Sequence, residues 1–528
     1  MTGSGLRVQD LSLSIHGTPV LRNVVLDVPA GRVTALVGES GSGKSMTALA
    51  MIGLLPQGAQ PNGAVLAGDR DLMGLTEGEW LAIRGQRVAM IFQEPMTALN
   101  PVQTIGAQVS ETLRLRGTRA AEARDIARDC LNRVGLGALS LDRYPHQLSG
   151  GQRQRVCIAM ALALRPDVLI ADEPTTALDV TTQAGILALL RDLVDETGMA
   201  LLLITHDLGV VARMADHVAV MRAGQIVEEG MTETLFRAHV HPYTADLLTA
   251  TQPPPRLPRP SGDTPILQAR AVTRRYGAKT AVSDVDLTLH KGESLGLVGE
   301  SGCGKSTLTR ALLGLEGLQG GQIVFRGAPG GTDMTRADRA AISVVFQDPY
   351  GSFNPRWSIR RILLEPFHLT GRPADAGARA AQALEQVGLS ADDLTRYPHE
   401  FSGGQRQRIA IARALITRPD VLVLDEAVSA LDVRVRARIL ALLDDLQDRL
   451  GLSYLFISHD LTVVRAICDR VLVMRDGRIV ESGPVEQVFD RPEDTYTRSL
   501  IAAAPTIPAA WLSATQPPPP GRKGRTET

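Results

Sequence analysis

The sequence predicts an α/β protein of two successive domains, each a mainly parallel sheet with helices packed on it. Three observations predict this. A phosphate-loop pattern, G-x-x-x-x-G-K-[ST], occurs twice, as Gly38-Glu-Ser-Gly-Ser-Gly43-Lys44-Ser45 and as Gly299-Glu-Ser-Gly-Cys-Gly304-Lys305-Ser306. Each copy follows a short apolar run, 33–37 or 294–298, and opens a helix-like stretch; that strand–turn–helix setting is what gives the motif meaning. Behind each copy the same further motifs trail in the same order, the mark of an internal duplication.

The elements recur in step. Alternating strands come first (Leu11, Leu13 and Ile15 in the first half), then the loop and its helix. A largely helical segment follows, 104–164 and 359–416. Next come a buried strand and a helix, 168–171 with 183–196 and 421–424 with 433–449, then a strand ending at Leu203-Ile204 or Phe456-Ile457. A hairpin closes each half, 218–227 around Ala223-Gly224 and 471–480 around Asp476-Gly477. Strands alternating with helices predict a parallel sheet. The domains are expected at 1–250 and 266–504. A Pro-rich linker at 251–265 should be extended, and a Pro-rich tail at 505–528 should lack order.

A chain of 528 residues is too long for a single core. Its 56 basic and 57 acidic residues leave a formal charge of −1, so no global basic field exists to hold nucleic acid or an anionic membrane. A small basic cluster, Arg522, Lys523 and Arg525, reads as a solvated end. The four cysteines stand apart at 130, 157, 303 and 468, which predicts neither a zinc knuckle nor a disulfide framework and suits a reducing cytosol. His239 and His241, without further ligands, make a poor metal site. No apolar run is long enough to span a bilayer, and the first residues lack the order of a signal peptide.

The phosphate loops carry the first chemistry. A triphosphate needs preset donors. Gly38, Gly41 and Gly43, with Ser40, let backbone N–H groups turn inward, as do Gly299, Gly302 and Gly304 with Ser301. The positive end of the following helix, with Met46 or Thr307 in its first turn, faces the same anion. Lys44 and Lys305 offer a point charge, and Ser45 and Ser306 a hydroxyl for Mg²⁺. Cys303, beside Lys305 and a helix N-terminus, is expected to have a lowered thiol pKa and to react with alkylating agents.

Two apolar strands end in paired carboxylates, Asp172-Glu173 and Asp425-Glu426. The aspartate is placed to hold Mg²⁺ through water, and the glutamate to accept a proton from attacking water. Ahead of each lies Ser149-Gly150-Gly151-Gln152 or Ser402-Gly403-Gly404-Gln405, opening a helix with a good N-cap and exposed N–H groups, a second anion-binding device.

With these motifs the chain, from 6 to 504, resembles the ATP-binding subunit of ABC transporters with two nucleotide-binding domains fused. The resemblance implies tandem P-loop NTPase domains, each with a RecA-like core, an antiparallel β subdomain and a helical subdomain. It implies ATP and Mg²⁺ as ligands and two composite sites, the Ser-Gly-Gly-Gln signature of each half completing the other half's loop. It implies that Gln93 and Gln347 touch Mg²⁺ and sense the membrane subunits, that His206 and His459 hold the γ-phosphate, and that Asp179 and Asp432 link the sites. Tyr276 would stack on adenine, with His16 read at the equivalent place in the first half. Pro174 follows the first glutamate and Ala427 the second, predicting a looser turn there with its carboxylates intact.

Finer motifs narrow the resemblance: the stretches 92–101 and 346–355, Arg-Tyr-Pro-His at 143–146 and 396–399, His241-Pro-Tyr-Thr244, and Tyr496-Thr497. These are similar to importers of dipeptides, oligopeptides, glutathione and nickel. Such a subunit is expected to be peripheral at the cytoplasmic face of the inner membrane. It would dock on two permease subunits and be served through them by a substrate-binding protein, without nucleic acid. A soluble ABC-F translation factor is the distant alternative, disfavoured by the short linker and the neutral charge.

Overall fold

In the computed structural model the described residues are 5–93, 98–176, 178–254, 256, 262, 264–348, 351–429 and 431–512. They form two compact units: one holds the residues up to 178, 182–251 and the stretch from 505, the other 179–181 and 252–504.

The first unit is built on a six-stranded sheet in the order Gln225–Met231, His217–Arg222, Val33–Val37, Ala200–Thr205, Val168–Asp172, Val88–Ile91. All neighbours are parallel except the first pair. Three central strands are buried at every position. Sheets covered on both faces demand such continuous apolar runs, which is why these strands are legible as blocks in the sequence. A four-stranded antiparallel sheet, Thr18–Val28, Leu6–Ile15, Ala59–Ala67, Arg70–Asp71, lies beside it. Helices Ile105–Leu115, Ala120–Arg133 and Gly150–Leu162 make the helical segment.

The second unit repeats this plan. Its six-stranded sheet runs Ile342–Val345, Val421–Asp425, Ser453–Ile457, Ser294–Val298, Arg470–Arg475, Arg478–Pro484. The closing hairpins form as expected. Both turn residues take positive φ, 48° and 81° at Ala223-Gly224 and 47° and 81° at Asp476-Gly477, as a tight turn matched to strand twist requires.

One expectation is corrected, and the linker and tail make contacts that composition does not foretell. Hairpin register pairs Ile15 with Thr18 and Tyr276 with Lys279. Ile15, not His16, therefore holds the place of Tyr276, while His16 sits in the turn at φ 49°. A slip of one residue exchanges the two faces of a strand, so adenine stacking by His16 has no support.

Arg256, the described arginine of the linker, is anchored. The Arg256 guanidinium lies 3.1 Å from Asp469 and donates to Gln447 Oε1 at 2.7 Å and to the Ile467 carbonyl. In the first unit Arg191 pairs with the corresponding Asp216 at 3.0 Å. The residue matching Arg191 in the second half is Asp444, and the linker supplies the missing cation.

The tail begins ordered. Ile507 is buried among Leu208, Val211, Phe236 and Tyr243, and Ala509–Leu512 is helical. Trp511 meets Phe236 edge-on at 6.2 Å, and the carbonyl of Pro505 lies so close to Gly209 that a Cβ there would stand 2.4 Å from it. Apolar residues in a Pro-rich stretch find an apolar face, which composition alone does not reveal. Residues 94–97 and 349–350 after the two glutamines, most of the linker, and the cluster Arg522, Lys523 and Arg525 lie outside the described residues.

Ile507→Ala is expected to speed limited proteolysis within 505–512. It should cost the first unit up to about 2 kcal/mol, because a segment that can peel away forfeits no more than its own burial. Unchanged cleavage rates would refute the docked tail.

Candidate nucleotide sites

Each phosphate loop leaves a buried strand at the C-terminal edge of the parallel sheet, where such sheets place their ligands. Gly38 (φ 158°) and Gly299 (φ 154°) are forced: a Cβ would stand 2.2 Å from the carbonyl oxygen of Met221 or Met474. The helices Lys44–Met51 and Lys305–Leu312 begin without a side-chain cap and without an acid in the first turn. Their N–H groups are thus left to an anion. Lys44 Nζ donates to the carbonyls of Gly38 at 2.7 Å and Glu39 at 2.8 Å, and Lys305 does the same to Gly299 and Glu300 at 2.7 and 2.8 Å. Ser42 Oγ is buried in the first loop without a hydrogen-bond partner. An uncapped helix end, an orphaned hydroxyl and an adjacent ammonium fit a phosphate chain.

The paired carboxylates arrive at the same edge on the strands Val168–Asp172 and Val421–Asp425. Burial raises the Asp172 pKa, against a hydrogen bond from Ser45. Burial and the charge of Glu426 raise that of Asp425. Carboxylates that lack compensation suit a divalent cation, whose charge offsets their desolvation. Ser45 and Asp172 supply oxygens beside the first loop, and Ser306 and Asp425 beside the second.

The glutamates are more tightly held than their sequence position foretells. Both adopt left-handed backbone, φ 47° at Glu173 and 50° at Glu426, a strain that the surrounding structure must impose. The N–H of each donates at 2.9 Å to the next strand, to Ile204 and Ile457. His206 Nδ1 lies 3.0 Å from Glu173 Oε1, while Gln93 Nε2 and Thr176 Oγ1 donate to Oε2 at 2.7 and 3.0 Å. Burial works against the charge, yet the hydrogen bond and charge of His206, with Thr176 and Lys44, bring the Glu173 pKa down to about 2. A carboxylate so stabilised is a poor base.

At the second site His459 lies 3.3 Å from Glu426 and lowers its pKa. Gln347 donates to Ser429 Oγ at 3.4 Å instead of to the glutamate. Thr176 and Ser429 were not singled out in the sequence, although both sit three residues beyond a glutamate already recognised. The expected looser turn at Ala427 is not what the backbone shows. Ala427 is buried, and the turn closes as in the first half, Thr176 to Glu173 and Ser429 to Glu426 both at 3.2 Å.

The signatures lie apart, on the helical segments. Ser149 and Ser402 cap helices Gly150–Leu162 and Gly403–Leu415 in closed capping boxes with Gln152 and Gln405. Asp432 caps Val433–Leu450, and Asp179 accepts from Thr181 Oγ1 at 2.8 Å. Tyr276 is 43% exposed, with the Arg274 guanidinium over its ring at 4.8 Å and its hydroxyl donating to Glu316. His241 caps the helix Pro242–Thr251, its Nδ1 accepting the N–H of Tyr243 at 3.1 Å.

The expected activation of Cys303 is overturned. Burial pushes its thiol pKa up and outweighs the attraction of Lys305, 3.8 Å away. At about pH 8, iodoacetamide should label Cys303 at least about tenfold more slowly in the native protein than in denaturant, as peptide mass spectrometry would read. Equal rates would restore the reactive thiol.

Comparison with known proteins agrees with this geometry. The family described as ABC transporter matches residues 21–176 and 282–429. That described as oligopeptide/dipeptide transporter, C-terminal region, matches 227–275 and 480–526. The peptidoglycan transport ATP-binding protein YejF of Agrobacterium fabrum is 47% identical over 536 residues, covering 96% of this chain and 98% of that protein. The glutathione import ATP-binding protein GsiA of Salmonella typhimurium is 46% identical over 559 residues, 95% of this chain and 89% of that protein. A chain in the crystal structure of archaeal ribosomal stalk protein aP1 with the ribosome recycling factor aABCE1 shares the fold, with a TM-score of 0.62 over 91% of this chain and 90% of its own at 22% identity. Two matched domains, two complete phosphate-loop and carboxylate sets, and relatives aligned over nearly the whole length lead to one conclusion: the chain belongs to the ABC transporter family, and its chemistry is the hydrolysis of ATP.

Proposed function

We propose that this chain energises the import of small peptides across the cell membrane, working at its cytoplasmic face on two membrane-embedded permeases that a substrate-binding protein supplies. The observation that carries the reading is that both ATPase domains are followed by the oligopeptide/dipeptide C-terminal region, at 227–275 and 480–526. No helix among the described residues is long and apolar enough to cross a membrane, and this reading assigns the translocation path to other chains. Glutathione is the second reading, favoured by the GsiA relative.

Mg²⁺, held by Ser45, Asp172 and Gln93 and by Ser306, Asp425 and Gln347, would offset the triphosphate's charge. Lys44 and Lys305 hold the outer phosphates. His206 and His459 turn from the glutamates to the γ-phosphate, and Glu173 and Glu426, so released, accept the proton of the attacking water. The signature Ser402–Gln405 serves the first nucleotide and Ser149–Gln152 the second. The γ-phosphate thus favours a closed state and hydrolysis an open one. A trapped triphosphate enclosed by its own half alone would overturn that reciprocity.

Glu173→Gln and Glu426→Gln should each slow ATP hydrolysis at least several-fold. An unchanged rate in either would exclude that site from catalysis. Purification of the chain from its host membrane should bring down two permeases. A deletion strain should lose uptake of dipeptides or longer peptides; loss of glutathione uptake alone would select the second reading.

A further inference from the structure

The His-Pro-Tyr-Thr and Tyr-Thr motifs near the end of each half entered above only as marks of a group. Their tyrosines have a definite place. Tyr243 is 1% exposed and Tyr496 7%. Tyr243 Oη accepts the N–H of Glu39 at 3.1 Å, and Tyr496 Oη that of Glu300 at 3.0 Å. Glu39 and Glu300 directly follow the forced glycines of the two phosphate loops. Their carbonyls are the ones that Lys44 and Lys305 grip at 2.8 Å. The peptide that precedes each glutamate is also held on both sides, by the tyrosine hydroxyl at its N–H and by the phosphate-binding lysine at the Gly38 or Gly299 carbonyl, 2.7 Å away.

The rings are themselves anchored. The guanidinium of Arg222 stands over Tyr243 at 4.9 Å and that of Arg475 over Tyr496 at 5.0 Å. The N–H of Tyr243 donates to His241 Nδ1 at 3.1 Å, and that of Tyr496 to Asp494 Oδ1 at 2.7 Å. These two caps in turn receive the same support from an edge-strand carboxylate. Glu228 accepts the N–H groups of Val240 and His241 at 2.6 and 3.2 Å, and Glu481 those of Glu493 and Asp494 at 2.9 and 3.2 Å. The capping residues differ between the halves, while the hydroxyl lands on the same loop atom. Burial pushes the Tyr496 hydroxyl pKa up to about 12, so it meets the loop as a neutral group at every working pH.

We propose that Tyr243 and Tyr496 are positioning residues for the phosphate loops, each hydroxyl fixing the loop glutamate's peptide and through it the site of the lysine ammonium. This deepens the ATPase reading and rests on it. Apolar packing asks only for the ring, which phenylalanine would supply. The hydroxyl is the part that reaches the loop.

The test is Tyr243→Phe and Tyr496→Phe in the full chain. Amide hydrogen exchange without nucleotide should quicken in the peptide spanning 38–44 for the first variant and 299–305 for the second, each leaving the other loop unchanged. ATP affinity, titrated in a Glu173→Gln/Glu426→Gln background, should weaken about three- to tenfold at the altered site, the worth of one net hydrogen bond. In the otherwise wild-type chain KM should rise while kcat stays within about twofold. Unchanged loop exchange together with unchanged affinity overturns the proposal. So does a lowered melting point with KM untouched, which would mark the hydroxyl as merely structural. Hydrolysis persists in every outcome, so failure here leaves the ATPase assignment standing.

Discussion

At each phosphate loop the chain leaves a buried parallel strand and passes so close to the neighbouring strand that a side chain would collide with a carbonyl oxygen, that of Met221 or Met474. The loop that results has its back against the sheet and its front open, and it runs into a helix with no cap of its own. The other site groups depend on this placement. Because the strands are parallel, Asp172-Glu173 and Asp425-Glu426 reach the same edge as the loops. His206 and His459 follow from the strands Ala200–Thr205 and Ser453–Ile457 between them.

A site assembled this way holds its base in check. Glu173 carries hydrogen bonds from His206, Gln93 and Thr176 on a strained backbone, and its proton affinity is correspondingly poor. Release of that carboxylate requires rearrangement of these donors. The second site is less encumbered, since Gln347 rests on Ser429. The two halves share one plan and differ in how firmly the base is restrained.

Duplication has also left room for substitution. Asp216 is neutralised by Arg191 from its own helix, Asp469 by Arg256 from the linker. His241 and Asp494 cap equivalent helices with different chemistry. Tertiary placement of a charge or an acceptor is preserved where the residue that supplies it is not, and this hides the equivalence from a comparison of motifs alone.

Much of the site was legible before any coordinates. The phosphate loops, paired carboxylates and capped signatures are local sequences whose chemistry follows from residue type and spacing, the histidines were marked by the family resemblance, and the buried strands declare themselves as apolar blocks because both faces are covered. What stayed hidden depends on residues far apart in the chain. The place of Ile15 opposite Tyr276 is a matter of hairpin register. The quenching of Cys303 is decided by burial, against a nearby lysine that sequence overvalues. The docking of Ile507 and the reach of Tyr243 to Glu39 span long stretches of chain. The sequence by itself determined which chemical groups each loop edge carries, since a strand, a turn and a helix end are set by neighbours within a few residues. Only the tertiary structure decided how those groups are tuned, since pKa, strain and loop position arise from atoms brought close by folding.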